Sequence, residues 1–253
     1  MDELIKQLCI MKFNKIKQNL SFSPNGIMGI LFCPGYFCSK HLVKNIKKYA
    51  SDLEGKLLDF GCGSKPYQLF FENVQEYIGL DFENEGHNHS NESIDIFYDG
   101  RIIPFEDETF DCVLSTQVFE HVKDIELTIS ELYRVLKKDG KILITVPFVF
   151  PEHELPHDYR RFTQIGLSDF LANHGFEVLS TTKNGNFQEV VWQLRILYIR
   201  DIIRVKNKYL NFVLRTLVVP PMIILGIICS AIFPKRDSLY FDITILARKS
   251  LNY

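Results

Sequence analysis

Lys56-Leu57-Leu58-Asp59-Phe60-Gly61-Cys62-Gly63-Ser64-Lys65-Pro66 is the stretch on which the rest of the chain depends. Leu57, Leu58 and Phe60 form a short apolar run bounded by turn residues, the pattern of a strand covered on both faces of a parallel sheet. Gly61 and Gly63 open backbone conformations that a Cβ forbids, and Pro66 suits a first helical turn. The expected unit is therefore strand, glycine turn and helix start, with backbone N–H groups turned towards a ligand.

The neighbours narrow the ligand. A dinucleotide fingerprint needs a third glycine where Pro66 stands, and a phosphate-binding P-loop needs Gly-Lys-Ser/Thr after a longer loop. Neither is present. Asp59, two positions before the first glycine, repels a pyrophosphate but attracts a cationic, zwitterionic ligand. That points to S-adenosylmethionine.

Working outward, the pattern alternates strand and helix from residue 56 onward, which implies a parallel, doubly wound sheet with right-handed crossovers. Glu76 to Asp81 reads as the second strand, and an acid at its end is placed to accept from both ribose hydroxyls. Ile94 to Tyr98 is a third strand, after which Asp99 is placed to accept from an adenine amino group. Phe110 to Leu114 is a fourth. The polar segment behind it, Ser115 to Val122, should line the cleft, because ligands gather at the carboxyl ends of such strands. Asp124 caps a helix with Ile125, Ile129, Leu132 and Leu136 on one face, and Lys137-Lys138-Asp139-Gly140 is expected to end it. Lys141 to Val146 is the fifth strand, and Phe176 begins the sixth after a helix capped by Thr163.

Beyond the fifth strand lies Pro147 to Thr163, a loop carrying His153, His157, Asp158, Tyr159, Arg160 and Arg161. Its three prolines exclude a continuous helix, so His153 and His157 do not share a helical face and no metal site is expected from them. What remains is a rigid loop rich in acid/base and anion-binding side chains, suited to an acceptor. His87 and His89 read as surface-loop residues, and Cys33 and Cys38 as small buried apolar side chains rather than zinc ligands.

The formal net charge of −2 gives no general pull towards nucleic acid. Met1-Asp2-Glu3 lack the basic start of a signal peptide, and the six cysteines are scattered, so a reducing, cytoplasmic setting is expected. Residues 1–20 and a second stretch from about Lys40 to Ala50 read as amphipathic helices, either a lid over the ligand or packing at the sheet edge.

Taken together, Asp59-x-Gly61-x-Gly63, Asp81, Asp99 with Pro104-Phe105, Phe110-Asp111 with Glu120-His121, and Arg134-Val135-Leu136-Lys137-x-x-Gly140-Lys141 resemble the class I S-adenosylmethionine-dependent methyltransferases across residues 56–180. Pro156 to Thr163 also looks like a branch found with bacterial surface-polysaccharide genes. The resemblance implies a Rossmann-like α/β fold, a seven-stranded sheet of order 3-2-1-4-5-7-6 with the last strand antiparallel, N-terminal helices and a helical insertion before that strand. It places Asp59, Gly61 and Gly63 near the methionine moiety, Asp81 on ribose and Asp99 near adenine, with Cys62, Phe82, Gly100, Ser115 and Gln117 completing the cofactor set. Ser64-Lys65 stand where a third glycine is common.

The domains expected are an N-terminal lid (1–50), a cofactor-binding core (51–185), a hydrophobic helical insertion (186–236) and a final strand (237–253). Within the insertion, Thr216 to Pro234 carries no charge and is flanked by Arg215, Lys235 and Arg236. Its length approaches a membrane span. A single crossing is excluded because it would put the sixth and seventh strands on opposite sides of the bilayer, and Pro220-Pro221 disfavours one straight helix. Residues 190–234 are therefore expected either to touch the membrane surface peripherally or to cover a homodimer interface.

The activity expected is methyl transfer to a hydroxyl, on a sugar or lipid-linked glycan, with the enzyme at the inner membrane face. Alternatives are a soluble or quinone-like small-molecule acceptor, or a non-catalytic scaffold that docks a partner through the insertion. His121 and His157 are the candidate general bases, Asp158 the residue that orients an imidazole, and His153, Tyr159, Arg160 and Arg161 the acceptor contacts.

Overall fold

The computed structural model describes residues 29–31, 33–82 and 93–250. The expected helix over residues 1–20, Cys9 and the His87/His89 loop lie outside them. Two compact units divide the chain. One holds the described residues through Val43 together with Gly185–Leu239, and the other holds Lys44–Asn184 with the segment from Tyr240. The described part of the expected lid through Val43 shares a unit with the expected insertion, whereas Lys44–Ala50 falls in the other.

The larger unit is a seven-stranded sheet: β1 (Gly55–Phe60), β2 (Val74–Phe82), β3 (Ile96–Tyr98), β4 (Phe110–Thr116), β5 (Leu136–Pro147), β6 (Phe176–Asn184) and β7 (Asp242–Lys249). Their order is β3-β2-β1-β4-β5-β7-β6. The pairs from β3 through β5 are parallel, and β7 runs antiparallel to both neighbours. This is the Rossmann-like methyltransferase sheet. Leu57 and Leu58 are fully buried, as are Val113, Leu114, Ile142 and Ile144 on the adjoining strands. Each such side chain contributes about 1.5–3 kcal/mol of burial. The register sets Leu58 beside Val113 and Asp59 beside Leu114, so the carboxyl ends of β1 and β4 stop together.

The crossover helices begin where local chemistry says they should. The side chain of Asp124 accepts the N–H of Leu127 at the start of α2 (Ile125–Val135), and Thr163 Oγ1 accepts that of Gly166 at the start of α3 (Gln164–Asn173). The expected end of α2 is corrected: it stops at Val135, and Leu136 is already extended and paired with Phe110 in β5. Lys137 to Gly140 form an irregularity inside β5, with Asp139 turning the chain at φ 60°. Helix propensity in that polar run yields to the pairing and burial of Leu136.

The helix expected from Lys40 starts a turn earlier, as Tyr36–Ala50, and spans the boundary between the units. In its second half the Tyr49 hydroxyl lies 2.7 Å from Ser180 Oγ and 2.9 Å from Thr182 Oγ1 on the edge strand β6, and Asn45 donates to Asn184. Of the two roles weighed for it, this half packs at the sheet edge.

The smaller unit is helical. Asn186 caps the helix Phe187–Ile202 in a reciprocal capping box with Glu189, and Glu189 Oε2 also lies 2.9 Å from His41 Nε2. Gln193 accepts the N–H of Phe37 and donates to the carbonyl of Pro34. Lys208–Ile232 is one continuous helix that carries Pro220 and Pro221 in its interior. Two adjacent prolines remove two i→i−4 bonds, and the flanking turns keep theirs. The two long helices approach closely at Gly226, where a Cβ would lie 3.0 Å from Trp192 and 2.8 Å from the Phe37 ring.

Candidate active site

At the end of β1 the chain turns through Gly61 at φ 74°, and a Cβ there would lie 2.3 Å from Val118 Cγ2. Gly63 donates its N–H to Asp81 Oδ2 at 2.8 Å, and Asp81 Oδ1 accepts the N–H of Phe82. The acid at the end of β2 therefore shapes the loop after β1. The place of a third glycine is taken by Lys65, which adopts φ 52° itself and pairs through Nζ with Asp95. Asp95 also accepts the N–H of Gly79, and these partners hold its carboxyl below the usual range against the opposing effect of burial.

Asp59 lies under this loop, 3% exposed. Its Oδ2 accepts the Tyr77 hydroxyl at 2.6 Å, and its Oδ1 has no hydrogen-bond partner. Burial, opposed by the Tyr77 bond, pushes its pKa up to about 7. Ser115 Oγ, at the end of β4, is likewise buried without a partner. Gln117, at φ 56°, donates its N–H to the Thr145 carbonyl and its amide to Thr145 Oγ1. Cys62 is buried below the loop. Phe82 is exposed, set edge-on to Tyr98 and beside Gly100. Asp99 is exposed and accepts the N–H groups of Arg101 and Ile102 through Oδ1.

The second group of side chains stands where β4 and β5 end. His121 Nδ1 lies 2.9 Å from the His157 carbonyl, and His121 Nε2 lies 3.1 Å from His153 Nε2. Glu120 is buried, and neither carboxylate oxygen has a hydrogen-bond partner. Burial pushes its pKa up to about 8. Asp158 accepts the backbone N–H of His153, lies 3.3 Å from its Nδ1 and pairs with Arg161, whose hydrogen bonds hold the acid down at about 2.

The loop differs from expectation in four ways. The imidazole that Asp158 orients is that of His153, which had been placed among the acceptor contacts. His157 turns its ring to the Tyr159 hydroxyl and reaches His121 only through its carbonyl. Arg160, expected at an acceptor, spends its guanidinium on the carbonyls of Phe119, Val122 and Lys123, and Arg161 is held by Asp158. The histidine pair brought together is His121/His153, which the separation of His153 from His157 did not exclude; Glu120, Tyr77, Lys65 and Asp95 had been given no role. An acid inside Val118-Phe119-Glu120-His121-Val122 was the available signal for the first of these.

Residues 58–144 match the methyltransferase domain family. Among curated proteins the chain is 30% identical over 145 residues to the malonyl-[acyl-carrier protein] O-methyltransferase of Calditerrivibrio nitroreducens, covering 56% of each chain. It is 29% identical over 136 residues to a Mycolicibacterium smegmatis protein described as a candidate S-adenosylmethionine-dependent methyltransferase, covering 49% of this chain and 53% of that one. The chain thus spans about half the length of these relatives. Among solved structures the [4+2]-cyclase SpnF superposes with a TM-score of 0.54 at 17% identity, covering 85% of this chain and 82% of that one. That likeness speaks for the fold.

The Mycolicibacterium smegmatis relative is described as S-adenosylmethionine-dependent, and the residues here fit such a ligand. Asp59 Oδ1 and Ser115 Oγ, buried without partners at the ends of β1 and β4, offer a ligand polar atoms beside a glycine turn that Val118 packs against. Asp59 supplies the negative charge that a sulfonium-bearing amino acid complements.

Proposed function

We propose that this protein transfers a methyl group from S-adenosylmethionine to a hydroxyl of an amphiphilic acceptor, with a sugar of a lipid-linked glycan as the leading class. The observation that carries the transfer reading is the buried Asp59 carboxylate, whose Oδ1 has no partner, beneath a loop that Asp81 holds by the Gly63 N–H. The bound donor supplies an electrophilic methyl on a sulfonium leaving group. The protein's task is then to align the acceptor oxygen and exclude water. Asp59 and Gly61 would hold the methionine end, Asp81 the ribose, and Asp99, Phe82 and Gly100 the adenine. Activation of the acceptor hydroxyl falls to the polar group at the ends of β4 and β5, with His157 and Asp158 as positioning residues for His121 and His153.

The amphiphile reading is supported by the helix Lys208–Ile232. At 25 residues it is about 37 Å long, and only 22% of its most apolar window is buried. Leu217 is 66% exposed and Ile232 73%. β6 and β7 pair along their length, so the insertion leaves and returns on one side of any bilayer. Its apolar residues would enter the interface while the exposed Arg204, Lys235 and Arg236 meet anionic head groups at the inner face of the membrane. Tritiated-methyl transfer to lipid extracts of the source cells tests the acceptor; label confined to the aqueous phase rejects the amphiphile. Flotation with anionic vesicles in low salt tests the surface contact, which fails if the intact protein stays at the bottom of the gradient.

A further inference from the structure

The hydrogen bonds of His121 and His153 fix where their protons sit. His121 Nδ1 faces the His157 carbonyl at 2.9 Å. His153 Nδ1 faces the Pro151 carbonyl at 3.3 Å and Asp158 Oδ2 at 3.3 Å. Carbonyls and carboxylates only accept, so each Nδ1 carries a hydrogen and each Nε2 is the ring nitrogen left to bind a proton or a metal cation. Those two nitrogens point at one another across 3.1 Å. Two lone pairs at that distance repel unless something positive lies between or beside them.

A third donor completes the arrangement. Glu120, 1% exposed, keeps both carboxylate oxygens free of any hydrogen bond, and its Oε1 lies 3.7 Å from His121 Nε2. One donor atom from each of Glu120, His121 and His153 falls within 4.8 Å of the other two. A tetrahedral ion with bonds of about 2.0–2.2 Å requires donors about 3.3–3.5 Å apart. The observed 3.1 and 3.7 Å bracket that spacing. The carbonyls of His157 and Pro151 and the carboxylate of Asp158 are the outer partners that ligating imidazoles use to fix ring orientation.

We infer that Glu120, His121 and His153 form a binding site for one divalent first-row transition-metal cation, with zinc the best match to two imidazoles and a carboxylate. Hard cations such as Mg²⁺ take oxygen donors instead. Three protein ligands leave a tetrahedral ion one open position. An acceptor hydroxyl bound there loses its proton to water more readily and meets the methyl group as an alkoxide-like oxygen, the proton leaving to solvent as the O–CH₃ bond forms and the sulfonium C–S bond breaks. That role rests on the methyl-transfer reading; the site itself does not.

The test is metal content. Full-length protein, incubated with one equivalent of Zn²⁺ and dialysed, should retain about one zinc per chain by mass spectrometry. His153→Ala and the isosteric Glu120→Gln should each weaken competition-measured Zn²⁺ affinity at least about tenfold. Co²⁺ loading should give the absorption of a tetrahedral site in the wild type and not in His153→Ala. Circular dichroism identifies any variant that has unfolded, and Glu120→Gln then stands in for it. Wild type that emerges from dialysis metal-free, or variants that bind Zn²⁺ as tightly as wild type, would overturn the inference. Calorimetry of S-adenosylmethionine on metal-free protein reports the donor site alone. Intact donor binding with no metal site sinks this inference only, whereas a metal site without donor binding sinks the proposed function.

Discussion

Replacing Asp59 by Asn should make the protein more stable at alkaline pH while weakening its hold on S-adenosylmethionine. The carboxyl titrates near 3.8 when unfolded and near 7 when folded, because burial penalises the charge more than the Tyr77 hydroxyl relieves it. Asp81 and Asp95 add repulsion and Lys65 subtracts some. A folded pKa above the unfolded one means that the native state holds a proton the unfolded chain has released, so this group's contribution falls as pH rises from about 4 to 7 and stays low above that. Integrating the two titrations gives a penalty of about 2 kcal/mol at pH 5 and about 4 at pH 8.5. Asn carries no such charge. Its carbonyl can keep the Tyr77 bond, while its amide costs about 1–3 kcal/mol if left unpaired, the same at every pH. The stability difference between variant and wild type should therefore shift in the variant's favour by about 2 kcal/mol between pH 5 and 8.5. Other titrating groups are common to both proteins and cancel. Urea unfolding followed by circular dichroism at five pH values measures it. In the wild type, a cationic donor that prefers the carboxylate should bind more weakly as pH falls below 7, with up to one proton released per ligand, and the variant should show no such slope. A difference flat to within about 0.5 kcal/mol across that range would refute the claim that Asp59 is buried and uncompensated.

Three further outcomes follow from the geometry. Gly61→Ala forces a side chain into φ 74° against Val118, so calorimetric S-adenosylmethionine affinity should fall at least about tenfold, with partial recovery when Val118→Ala is added. Arg160→Ala strands the carbonyls of Phe119, Val122 and Lys123 and should cost about 2–4 kcal/mol in urea unfolding, a loss that Lys, without the planar fork, restores only in part. Gly226→Leu drives a side chain into Trp192 and Phe37 and should lower the thermal midpoint of the helical unit while donor affinity, read by calorimetry, stays at the wild-type value.

Most of the sheet could be read from one period. Leu57-Leu58, Val113-Leu114 and Ile142-Leu143-Ile144 are apolar on both faces, as only central parallel strands can be, and the acids at Asp59 and Asp81 sit at their carboxyl ends. The misreadings share a cause, since each was decided by a partner distant in sequence. Leu136 leaves the helix because Phe110 pairs with it. Arg160 becomes a brace because the turn after β4 offers three carbonyls. His121 meets His153 because β4 and β5 are neighbours, a juxtaposition invisible to spacing along the chain.

The unpaired atoms say where this economy was set aside. Among the described residues, the buried side-chain oxygens without a partner are Asp59 Oδ1, Ser115 Oγ, both oxygens of Glu120 and Ser230 Oγ. All but the last stand at the carboxyl ends of β1 and β4 or on the turn that follows. Each unmet group costs about 1–3 kcal/mol, so the sheet carries several kcal/mol of uncompensated polarity at one edge. A core selected for stability alone would place Leu or Val there, as it does one residue earlier at Leu58 and Leu114. A ligand that meets these groups in the working protein removes the penalty, and it divides by position: Asp59 and Ser115 beside the glycine turn suit one ligand, Glu120 beside the paired histidines another. Two ligands at separate groups should then stabilise the fold additively, each by an increment set by its own affinity. A thermal midpoint raised by S-adenosylmethionine and by Zn²⁺ independently would bear out that division, and an increment from either that vanishes in the presence of the other would show that the two groups serve one ligand.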